Sequence, residues 1–486
     1  MGPRFHGREH FAPKGGGGSY RLLPFRFGQL DLRRYVVMND VGEHVVLARE
    51  ELVAFARHQL SPASEVYRAL KVRHFLFDAD SECALDLLAL KYRTRADRIA
   101  DFTGLHIFVV TLRCDHSCHY CQVSRQTEDK SAFDMSREHA ERALALTFRS
   151  PARSIKIEFQ GGEPLLHFDL VRFIVERATA LNEEHRRDLQ FVIASNLARI
   201  TDDMLAFCKQ YGIHFSTSLD GPEAQHDAHR PLRGGKSHAR VLEGIRRVRA
   251  ALGHDAVSAL MTTTPSSLGQ VEAIVDEYVR QGFRSIFLRS LSPYGFAVRT
   301  SLVRKYGVDD WLDFYRRGLA YILELNRRGC AFQEEYTTIL LQKLFSAQGS
   351  SYVDLQSPAG IGIGGIVYNY DGAVYASDEG RMLAEMGDGT FELGHLGSDT
   401  YEAMLTNDAF VGILQDTLLE SSPMCSDCPF LACCGADPVF HQVTSGDPVG
   451  HKAFSAFCAK QMGVMRHLIT LLEDDPEARR ILMGWV

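Results

Sequence analysis

Three cysteines lie close together in the stretch TLRCDHSCHYCQVSR: Cys114, Cys118 and Cys121, separated by three and two residues. Thiolates at this spacing can all reach one inorganic iron–sulfur cluster from a single loop. Three ligands on a four-iron cube leave one iron open, and a small molecule can bind and react there. Structural zinc normally takes a closed set of four ligands, so the triplet favours a reactive iron–sulfur cluster.

The cysteine loop closely resembles the CxxxCxxC motif of radical S-adenosylmethionine (SAM) enzymes, including an aromatic residue, Tyr120, before the last cysteine. The resemblance implies a [4Fe-4S] cluster on Cys114, Cys118 and Cys121, with Tyr120 beside the cofactor. The amino and carboxylate groups of SAM would chelate the open iron. One electron would then cleave SAM to methionine and a 5'-deoxyadenosyl radical that abstracts hydrogen from a substrate.

Short apolar runs alternate with longer helical patterns from about residue 105, which is typical of βα units on a parallel sheet. Chemistry on such barrels collects at the carboxyl ends of the strands. We therefore predict an α/β fold, a partial (β/α)6 TIM-like radical SAM barrel. Its predicted strands are His106–Leu112, Ile155–Gln160, Gln190–Ala194, His214–Leu219, Ala256–Thr262 and Ser285–Leu291.

The second predicted strand runs into a Gly-Gly-Glu-Pro turn. Its glycines allow close backbone approach, and its carboxylate can receive a ligand ammonium group. In the family that the chain resembles, this motif holds the amino group of SAM. The resemblance also places polar residues of the third and fourth strand ends in the SAM pocket. The predicted cofactor-binding residues of these turns are Gly161, Gly162, Glu163, Pro164, Ser195, Asn196, Ser218 and Asp220.

Two arginines near the predicted barrel mouth receive different interpretations. Arg230 lies in HDAHRPLRGG, where His226, Asp227 and Arg230 match a stretch that recurs in peptide-modifying members of the family, and we expect it to brace a loop. Arg289 lies near the end of the sixth predicted strand and points into the mouth if the register is right. We count Arg289 among the cofactor-binding residues, with an exposed salt bridge as the alternative.

A second cysteine group lies in PMCSDCPFLACCGADP. Residues 350–486 resemble the SPASM extension of radical SAM enzymes that modify peptides and proteins, which usually holds two further [4Fe-4S] clusters. The resemblance implies one auxiliary cluster, with Cys433 as an alternative to Cys434 and a four-thiolate zinc site as the competing interpretation. The predicted ligands of that cluster are Cys425, Cys428, Cys434 and Cys458.

The second auxiliary cluster of the SPASM pattern is predicted to be absent. Ser377 and Pro438 stand where two of its cysteines belong, and Ser357-Pro358-Ala359 contains no cysteine either. Asp378 follows Ser377, at the position where sulfatase-type maturases carry a proton-accepting carboxylate. Burial near a cluster would raise the pKa of such a carboxylate and suit it to general-base chemistry. Asp378 is therefore the predicted catalytic residue, with Glu379 or a plain surface role as alternatives.

The region of residues 20–100 follows a flexible segment, 1–19, that contains the run Gly15–Gly18. RRYVVMNDVGEHVVLAREEL predicts two strands around a turn, and helical patterns follow at Arg49–Leu60 and Ser64–Lys71. This region resembles the winged-helix-like module of peptide maturases, in which a leader peptide adds a strand to a sheet edge beside a helix. A DNA-binding winged helix is disfavoured because the second helix carries only Arg68 and Lys71.

Composition sets further limits on the protein class. The 486 residues carry a formal charge of -7, with 54 Lys plus Arg against 61 Asp plus Glu, so overall charge does not favour nucleic-acid binding. No run of about 18 apolar residues is present, and the N-terminus lacks the apolar core of a secretion signal. We expect a cytoplasmic protein that binds neither nucleic acid nor membranes.

Together these features resemble most closely the His-Xaa-Ser system radical SAM maturases. The resemblance implies a precursor peptide bound through its leader, radical modification of its side chains, and an electron donor of the flavodoxin or ferredoxin type. A crosslink is the favoured product. The alternatives are a sulfatase-type maturase that oxidises Ser or Cys to an aldehyde, and a non-catalytic iron–sulfur peptide-binding protein. The predicted regions are 1–19, 20–100, 101–300 for the barrel, 301–349 as a helical linker, and 350–486.

Overall fold

The computed structural model of the protein describes residues 20–81, 83–127, 129–350 and 352–486. The predicted flexible segment 1–19 lies outside the described residues. The chain forms two compact units. The first contains the N-terminal region up to Ala96 together with Lys343–Gly349 and Asp427–Cys433, and the second contains the remainder. Two short later segments thus belong to the N-terminal unit, which the sequence did not indicate.

Among its described residues up to Ala96, the first unit has two small antiparallel sheets and three α-helices. Strands β2, β3 and β4 form one sheet in that order, and β1 pairs with β5. The Ser64 hydroxyl caps α2 by accepting from the Tyr67 amide. The predicted strand pair and the two following helices are confirmed, and β2 adds a third strand. The elements are β1 (Tyr20–Leu22), β2 (Arg26–Gln29), β3 (Arg34–Met38), β4 (His44–Ala48), α1 (Arg49–Ala56), α2 (Glu65–Val72), β5 (Leu76–Asp78) and α3 (Ala84–Ala96).

An eight-stranded sheet forms the centre of the second unit. Its strands are β6 (Leu105–Thr111), β7 (Ser154–Gly161), β8 (Asp188–Ala194), β9 (His214–Ser218), β10 (Val257–Leu260), β13 (Gly365–Tyr368), β14 (Ala373–Tyr375) and β15 (Glu392–His395). The order is β10-β9-β8-β7-β6-β13-β14-β15. Strands β6 to β10 are parallel, β13 is parallel to β6, and β14 and β15 are antiparallel. The first five predicted barrel strands are thereby confirmed.

Alternation along β7 shows how the sequence builds this sheet. Ile155, Ile157 and Phe159 are buried at 1% exposure or less, whereas Glu158 and Gln160 line a cavity on the opposite face. One face of the strand therefore supports the core and the other presents polar groups to an internal space. The same division gives the barrel an inner surface that can carry chemistry.

The prediction of a sixth barrel strand at Ser285–Leu291 is wrong. Only Ser285–Ile286 (β11) is a strand, and it pairs with Gln333–Glu334 (β12) outside the large sheet. The buried Glu334 carboxylate accepts the Leu288 amide at 3.1 Å, and the Arg289 carbonyl accepts the Thr263 amide at 2.9 Å. The Glu334 side chain thus accepts a hydrogen bond from an amide that, in a sheet strand, would donate to the neighbouring strand. The sixth parallel strand of the sheet is instead β13, which pairs with β6 on the side away from β7.

The remaining helices connect and cover these strands, and two of them, Val308–Arg327 and Glu335–Phe345, lie within the segment 301–349 for which a helical linker is predicted. No helix among the described residues combines the length and the apolar character that a membrane crossing requires. The helices are α4 (Lys130–Phe133), α5 (Arg137–Thr147), α6 (Phe168–His185), α7 (Asp202–Gln210), α8 (Glu223–His229), α9 (Ser237–Leu252), α10 (Val271–Arg280), α11 (Phe296–Arg299), α12 (Val308–Arg327), α13 (Glu335–Phe345), α14 (Asp378–Ala384), α15 (Tyr401–Leu405), α16 (Asp408–Asp416), α17 (Pro438–Ser445), α18 (Ala456–Asp474) and α19 (Pro476–Met483).

Candidate active site

The three-cysteine loop follows directly after β6, at the carboxyl end of the strand. The Ser117 amide donates to the Pro231 carbonyl at 2.8 Å, and the Phe296 amide donates to the Cys121 carbonyl at 2.8 Å. The loop is therefore held from two sides by segments that are distant in sequence. Cys114, Cys118 and Cys121 all lie partly buried on this one loop, as the spacing predicted.

The Gly-Gly pair fits where no side chain could. Gly161 has a φ of +138°, and a Cβ there would lie 1.9 Å from the Thr111 carbonyl oxygen. A Cβ at Gly162 would lie 2.2 Å from the Arg113 carbonyl oxygen. The Gly162 and Glu163 amides donate to these same carbonyls at 2.7 and 2.8 Å. The glycines thus permit close approach to the end of β6, which fixes the Glu163 backbone beside the cysteine loop.

Glu163 is fully buried and is held by three donors. Its carboxylate accepts the Ser195 hydroxyl at 2.8 Å, the Asn196 amide at 2.8 Å and the Leu165 amide at 3.0 Å. Burial raises the pKa of this carboxyl to about 7, against the lowering effect of the donors. Among the described residues, no Lys or Arg side chain forms an ion pair with it. The structure therefore brings three predicted residues, Glu163, Ser195 and Asn196, into one group.

Sequence reasoning missed Asp115 and His116, which lie between the first two cysteines. Asp115 accepts the Asn196 side-chain amide at 2.9 Å and Arg199 Nε at 2.8 Å, and it pairs with His116 at 2.9 Å. Burial alone would raise the Asp115 pKa, but the His116 and Arg199 partners outweigh it and hold that pKa below its usual range. The group anchors the cysteine loop to the end of β8.

Tyr120, Asp220 and Arg230 form a second buried group. The Tyr120 hydroxyl donates to the Asp220 carboxylate, Arg230 Nε donates to the same oxygen at 3.0 Å, and the guanidinium lies 5.2 Å from the Tyr120 ring centre. Burial would raise the Asp220 pKa, but the Arg230 charge lowers it below its usual range. Arg230 thus braces the site. The other Asp220 oxygen, Oδ1, is buried and has no hydrogen-bond partner among the described residues.

The two other predicted pocket residues, Ser218 and Pro164, occupy ordinary backbone positions. Ser218 is the last residue of β9 and pairs with Leu260 of β10. Pro164 begins a short 3-10 helix for which the Glu163 side chain is the cap, accepting the Leu165 amide. Neither placement tests a contact with a cofactor, so both assignments stay predictions.

A cavity of about 910 Å³ lies along the inner face of the sheet. Its lining includes Gln160, which precedes the Gly-Gly pair, and the predicted residues Arg289, Asp378 and Glu379. One Arg289 nitrogen lies 4.0 Å from a Glu379 oxygen, whereas Asp378 accepts Arg381 Nε at 3.3 Å. The structure therefore places Arg289 beside an acidic group in this cavity.

Helix starts occupy two positions at which the SPASM pattern has cysteines. The Ser377 hydroxyl caps α14 by accepting the Gly380 amide at 3.0 Å. Pro438 is the first residue of α17, and the Asp437 side chain caps that helix by accepting the Phe440 amide at 3.1 Å. Serine, aspartate and proline at these places are what helix N-termini favour.

The predicted auxiliary cysteines are divided between the two units. Cys428 and Cys433 belong to the first unit, while Cys425, Cys434 and Cys458 belong to the second. Cys433 is 1% exposed, and its sulfur lies 4.0 Å from the Met38 sulfur, within the first unit. This packing places Cys433 in the core of the first unit. The four-cysteine set stays a prediction.

The residues around the cysteine loop fit a [4Fe-4S] cluster with SAM. Three cysteines share one loop, and within the described part of the chain the buried Glu163 carboxylate has no cation and Asp220 Oδ1 has no donor. An ammonium group of a ligand would satisfy Glu163, because a buried carboxylate is stabilised by a hydrogen-bonded cation. Burial also raises the pKa of the Cys118 thiol to about 12, so cluster assembly would release its proton.

Comparison with known proteins gives the same assignment. Residues 108–278 match the Radical SAM superfamily. An uncharacterized protein of Methanocaldococcus jannaschii is 28% identical over 189 residues, which is 38% of this chain and 62% of that protein. The serine-type anaerobic sulfatase-maturating enzyme of Klebsiella aerogenes is 26% identical over 204 residues, covering 41% of this chain and 48% of that enzyme. The chain thus spans less than two thirds of these relatives.

Solved structures show the same fold. The chain is similar to native anSMEcpe with bound AdoMet, with a TM-score of 0.60, 15% identity and coverage of 79% of this chain and 99% of that one. It is also similar to Streptococcus suis SuiB bound to precursor peptide SuiA, with a TM-score of 0.54, 14% identity and coverage of 90% and 99%. Residues 108–278 therefore form a radical SAM domain, and the protein uses a SAM-binding [4Fe-4S] cluster together with SAM.

Proposed function

We propose that the protein is a radical SAM maturase that modifies side chains of a ribosomally synthesised precursor peptide and joins two of them in an intramolecular crosslink. The observation that carries the proposal is the cavity of about 910 Å³, whose lining runs from Gln160, next to the SAM-site glycines, to Asp378 and Glu379. Ligand cavities in proteins typically measure about 300–1,000 Å³, so this one has room for a substrate side chain.

Each residue group of the site has a defined part in this proposal. Cys114, Cys118 and Cys121 hold the cluster, and Glu163 binds the SAM ammonium group. When bound, the cluster and SAM supply a 5'-deoxyadenosyl radical that removes a hydrogen atom from the substrate. Arg289, which lines the cavity, orients the substrate side chains. The chain's own residues thus fix which hydrogen lies nearest the radical.

Crosslinking requires the substrate to lose a further electron and a proton after the first hydrogen atom. Cys425, Cys428, Cys434 and Cys458 would hold one auxiliary [4Fe-4S] cluster, which is a one-electron acceptor. The proton goes to a carboxylate at the start of α14, for which the sequence indicates Asp378 or its neighbour Glu379. Both line the cavity.

The first unit is proposed to bind the leader of the precursor. Its sheet has two edge strands, β2 and β4, each paired only with β3 among the described residues. Apolar side chains are also exposed in the same unit: Phe27 on β2 is 53% exposed, and Leu90 and Tyr92 on α3 are 58% and 47% exposed. A leader segment that adds a strand gains main-chain hydrogen bonds from an edge and specificity from apolar contacts.

Three finer parts of the proposal rest on the sequence resemblance. The family is that of the His-Xaa-Ser maturases, so the precursor carries His-Xaa-Ser repeats. The electron donor is of the flavodoxin or ferredoxin type. The location is the cytoplasm. The likeness to SuiB and to anSMEcpe supports the common fold of this group of enzymes.

Co-expression tests the proposal directly. The chain is produced with each short reading frame that flanks its gene, and the peptides are examined by mass spectrometry. Loss of two hydrogens, with fragments joined between two residues, is the expected result. A Cys118→Ala variant is expected to bind the leader and leave the peptide unmodified. Unchanged mass in every peptide, although the protein cleaves SAM, would contradict the crosslinking function.

A sulfatase-type maturase is the second candidate, favoured by the likeness to the Klebsiella enzyme and to anSMEcpe. It predicts an aldehyde on a Ser or Cys of a sulfatase-derived peptide, which hydrazide labelling detects. A non-catalytic iron–sulfur peptide-binding protein would bind the leader and cleave no SAM. Release of 5'-deoxyadenosine by the reduced protein separates that class from both enzymes.

A further inference from the structure

Two cavities of the second unit meet at the start of α14. The larger, of about 910 Å³, is the proposed substrate space, and the smaller measures about 70 Å³. Arg289, Tyr352, Asp354 and Glu379 line both of them. A carboxylate that faces both cavities can take up a proton from one of them and release it into the other.

The two neighbouring acids of α14 differ in this respect. Asp378 lines only the larger cavity, and its carboxylate accepts Arg381 Nε at 3.3 Å. Arg381 is 1% exposed, so the Asp378 charge is committed to a buried cation. Glu379 lines both cavities, and its ion pair with Arg289 is long, at 4.0 Å. The Glu379 carboxylate therefore keeps more of its capacity to accept a proton.

We propose that Glu379, rather than Asp378, accepts the proton that the substrate loses during crosslinking, and that the proton leaves through the smaller cavity toward Asp437. This proposal rests on the maturase function proposed above. Asp437 lines the smaller cavity together with Lys460 and does not line the larger one. A volume of about 70 Å³ exceeds the roughly 10–15 Å³ that one water needs, so water can connect the two carboxylates.

The proposed step balances. The substrate first loses one hydrogen atom to the deoxyadenosyl radical, and the resulting carbon radical forms a bond to a second side chain. That side chain gives up its hydrogen as a proton to Glu379, and the remaining electron goes to an acceptor of the iron–sulfur class. The substrate thus loses two hydrogens and gains one bond between its side chains.

The charges around Glu379 agree with this function. Burial, followed by the nearby Asp354 and Asp378 carboxylates, raises its pKa to about 8, whereas Arg289 acts to lower it. Burial and Asp354 likewise raise the pKa of Asp437 to about 7. The buried tyrosines beside them, Tyr294 and Tyr352, have pKa values raised well above the usual range and stay neutral. A base whose pKa is about 8 is close to the pH of a cytoplasmic reaction, as general-base catalysis requires.

The test separates hydrogen abstraction from bond formation. The reconstituted full chain is given the precursor that the wild type modifies, prepared with deuterated side chains. Deuterium in 5'-deoxyadenosine measures abstraction, and crosslinked peptide measures product. For Glu379→Gln we expect abstraction within about twofold of the wild type and product lowered at least about tenfold. Glu392→Gln, the same change at an exposed site of the second unit, is the control and keeps both values.

The pH profile provides the readout that a structural role would not change. A carboxylate accepts a proton only when ionised, so product per abstraction in the wild type should rise with pH through about 8. Glu379→Asp should restore part of the product with a displaced midpoint, and it serves as the second variant if Glu379→Gln loses iron.

Several outcomes would overturn the assignment: product per abstraction unchanged in Glu379→Gln, an unmoved midpoint in Glu379→Asp, or loss of product in Asp378→Asn alone. If the wild type cleaves SAM and modifies no peptide, the maturase function itself fails, and the assignment falls with it.

Discussion

The Ser195 hydroxyl donates to the Glu163 carboxylate at 2.8 Å in the interior of the protein. Ser195 follows β8 directly and Glu163 follows β7, so two neighbouring parallel strands place these groups at one edge of the sheet. The serine holds the carboxylate and leaves its charge without a cation among the described residues. The pair is therefore organised for a positively charged ligand group, and SAM carries one in its amino acid portion.

Replacing Glu163 by Gln should weaken SAM binding about 10- to 100-fold, because a hydrogen bond to a charged group contributes about 1.5–3 kcal/mol. Anaerobic equilibrium dialysis with labelled SAM measures the affinity. Ser195→Ala keeps the carboxylate and should have a smaller effect. Equal losses in the two variants would show that the Glu163 charge is not what binds SAM.

Replacing Gly161 by Ala should disrupt the cysteine loop, since a Cβ at this residue would lie 1.9 Å from the Thr111 carbonyl oxygen. We expect a lower thermal midpoint and loss of most iron after reconstitution. Gly253→Ala is the matched control: Gly253 also has a positive φ, +110°, and nothing lies within 4 Å of its added Cβ. Backbone strain should destabilise the control by only roughly 1–3 kcal/mol, and the control should keep its iron. Equal iron loss in both variants would refute the steric explanation.

Arg230→Met should destabilise the protein by about 3–5 kcal/mol, because it leaves the buried Asp220 carboxylate without its cation. The double variant Asp220→Asn/Arg230→Met should regain part of this loss, since no charge then remains buried. Urea unfolding monitored by tryptophan fluorescence measures the midpoints. Arg246→Met, which breaks only the exposed pair with Glu243, should change little. Strictly additive effects of the two substitutions would rule out the coupling.

Glu334 should make stability depend on pH. Burial raises the pKa of this carboxyl to about 7, against the lowering effect of the Thr337 and Leu288 donors. The folded state therefore keeps a proton that the unfolded state loses above about pH 4.5, so the stability that this proton provides declines as pH rises toward 7. Relative to Glu334→Gln, the wild type should lose about 2.5 kcal/mol between pH 5 and 8. Parallel pH profiles of the two proteins would contradict this.

The local sequence pattern predicted those strands whose position depends on alternating apolar side chains. Strands β6 to β9 appeared within two residues of their predicted bounds because alternating apolar side chains bury one face. The segment from Ser285 has the same apolar character but does not join the large sheet, since the Glu334 side chain accepts the Leu288 amide. That contact joins residues 46 apart in sequence, and no local pattern contains it.

The candidate site shows the same difference between residues that a local motif identifies and residues that depend on distant partners. Glu163 was identified because the Gly-Gly-Glu-Pro motif carries its chemistry within four consecutive residues. Asp115 was missed although it lies between two cluster cysteines, because its role arises from Asn196 and Arg199. Those partners belong to the loop after β8, and only the parallel sheet brings that loop to the cysteines. The sequence thus indicated candidate ligands of the cofactor, but it did not indicate the groups that anchor their loop.

Iron content should distinguish the two predicted clusters. The anaerobically reconstituted wild type should hold about eight irons, four for each cluster, and a Cys114/Cys118/Cys121 triple-alanine variant about four. Cys433→Ala should keep all the iron, because Cys433 packs in the core of the first unit against Met38. Cys434→Ala should lower the auxiliary iron. About four irons falling to none, with zinc present, would make the C-terminal cysteines a structural zinc site and remove the proposed electron acceptor. About twelve irons falling to eight would mean that groups other than cysteine hold a third cluster.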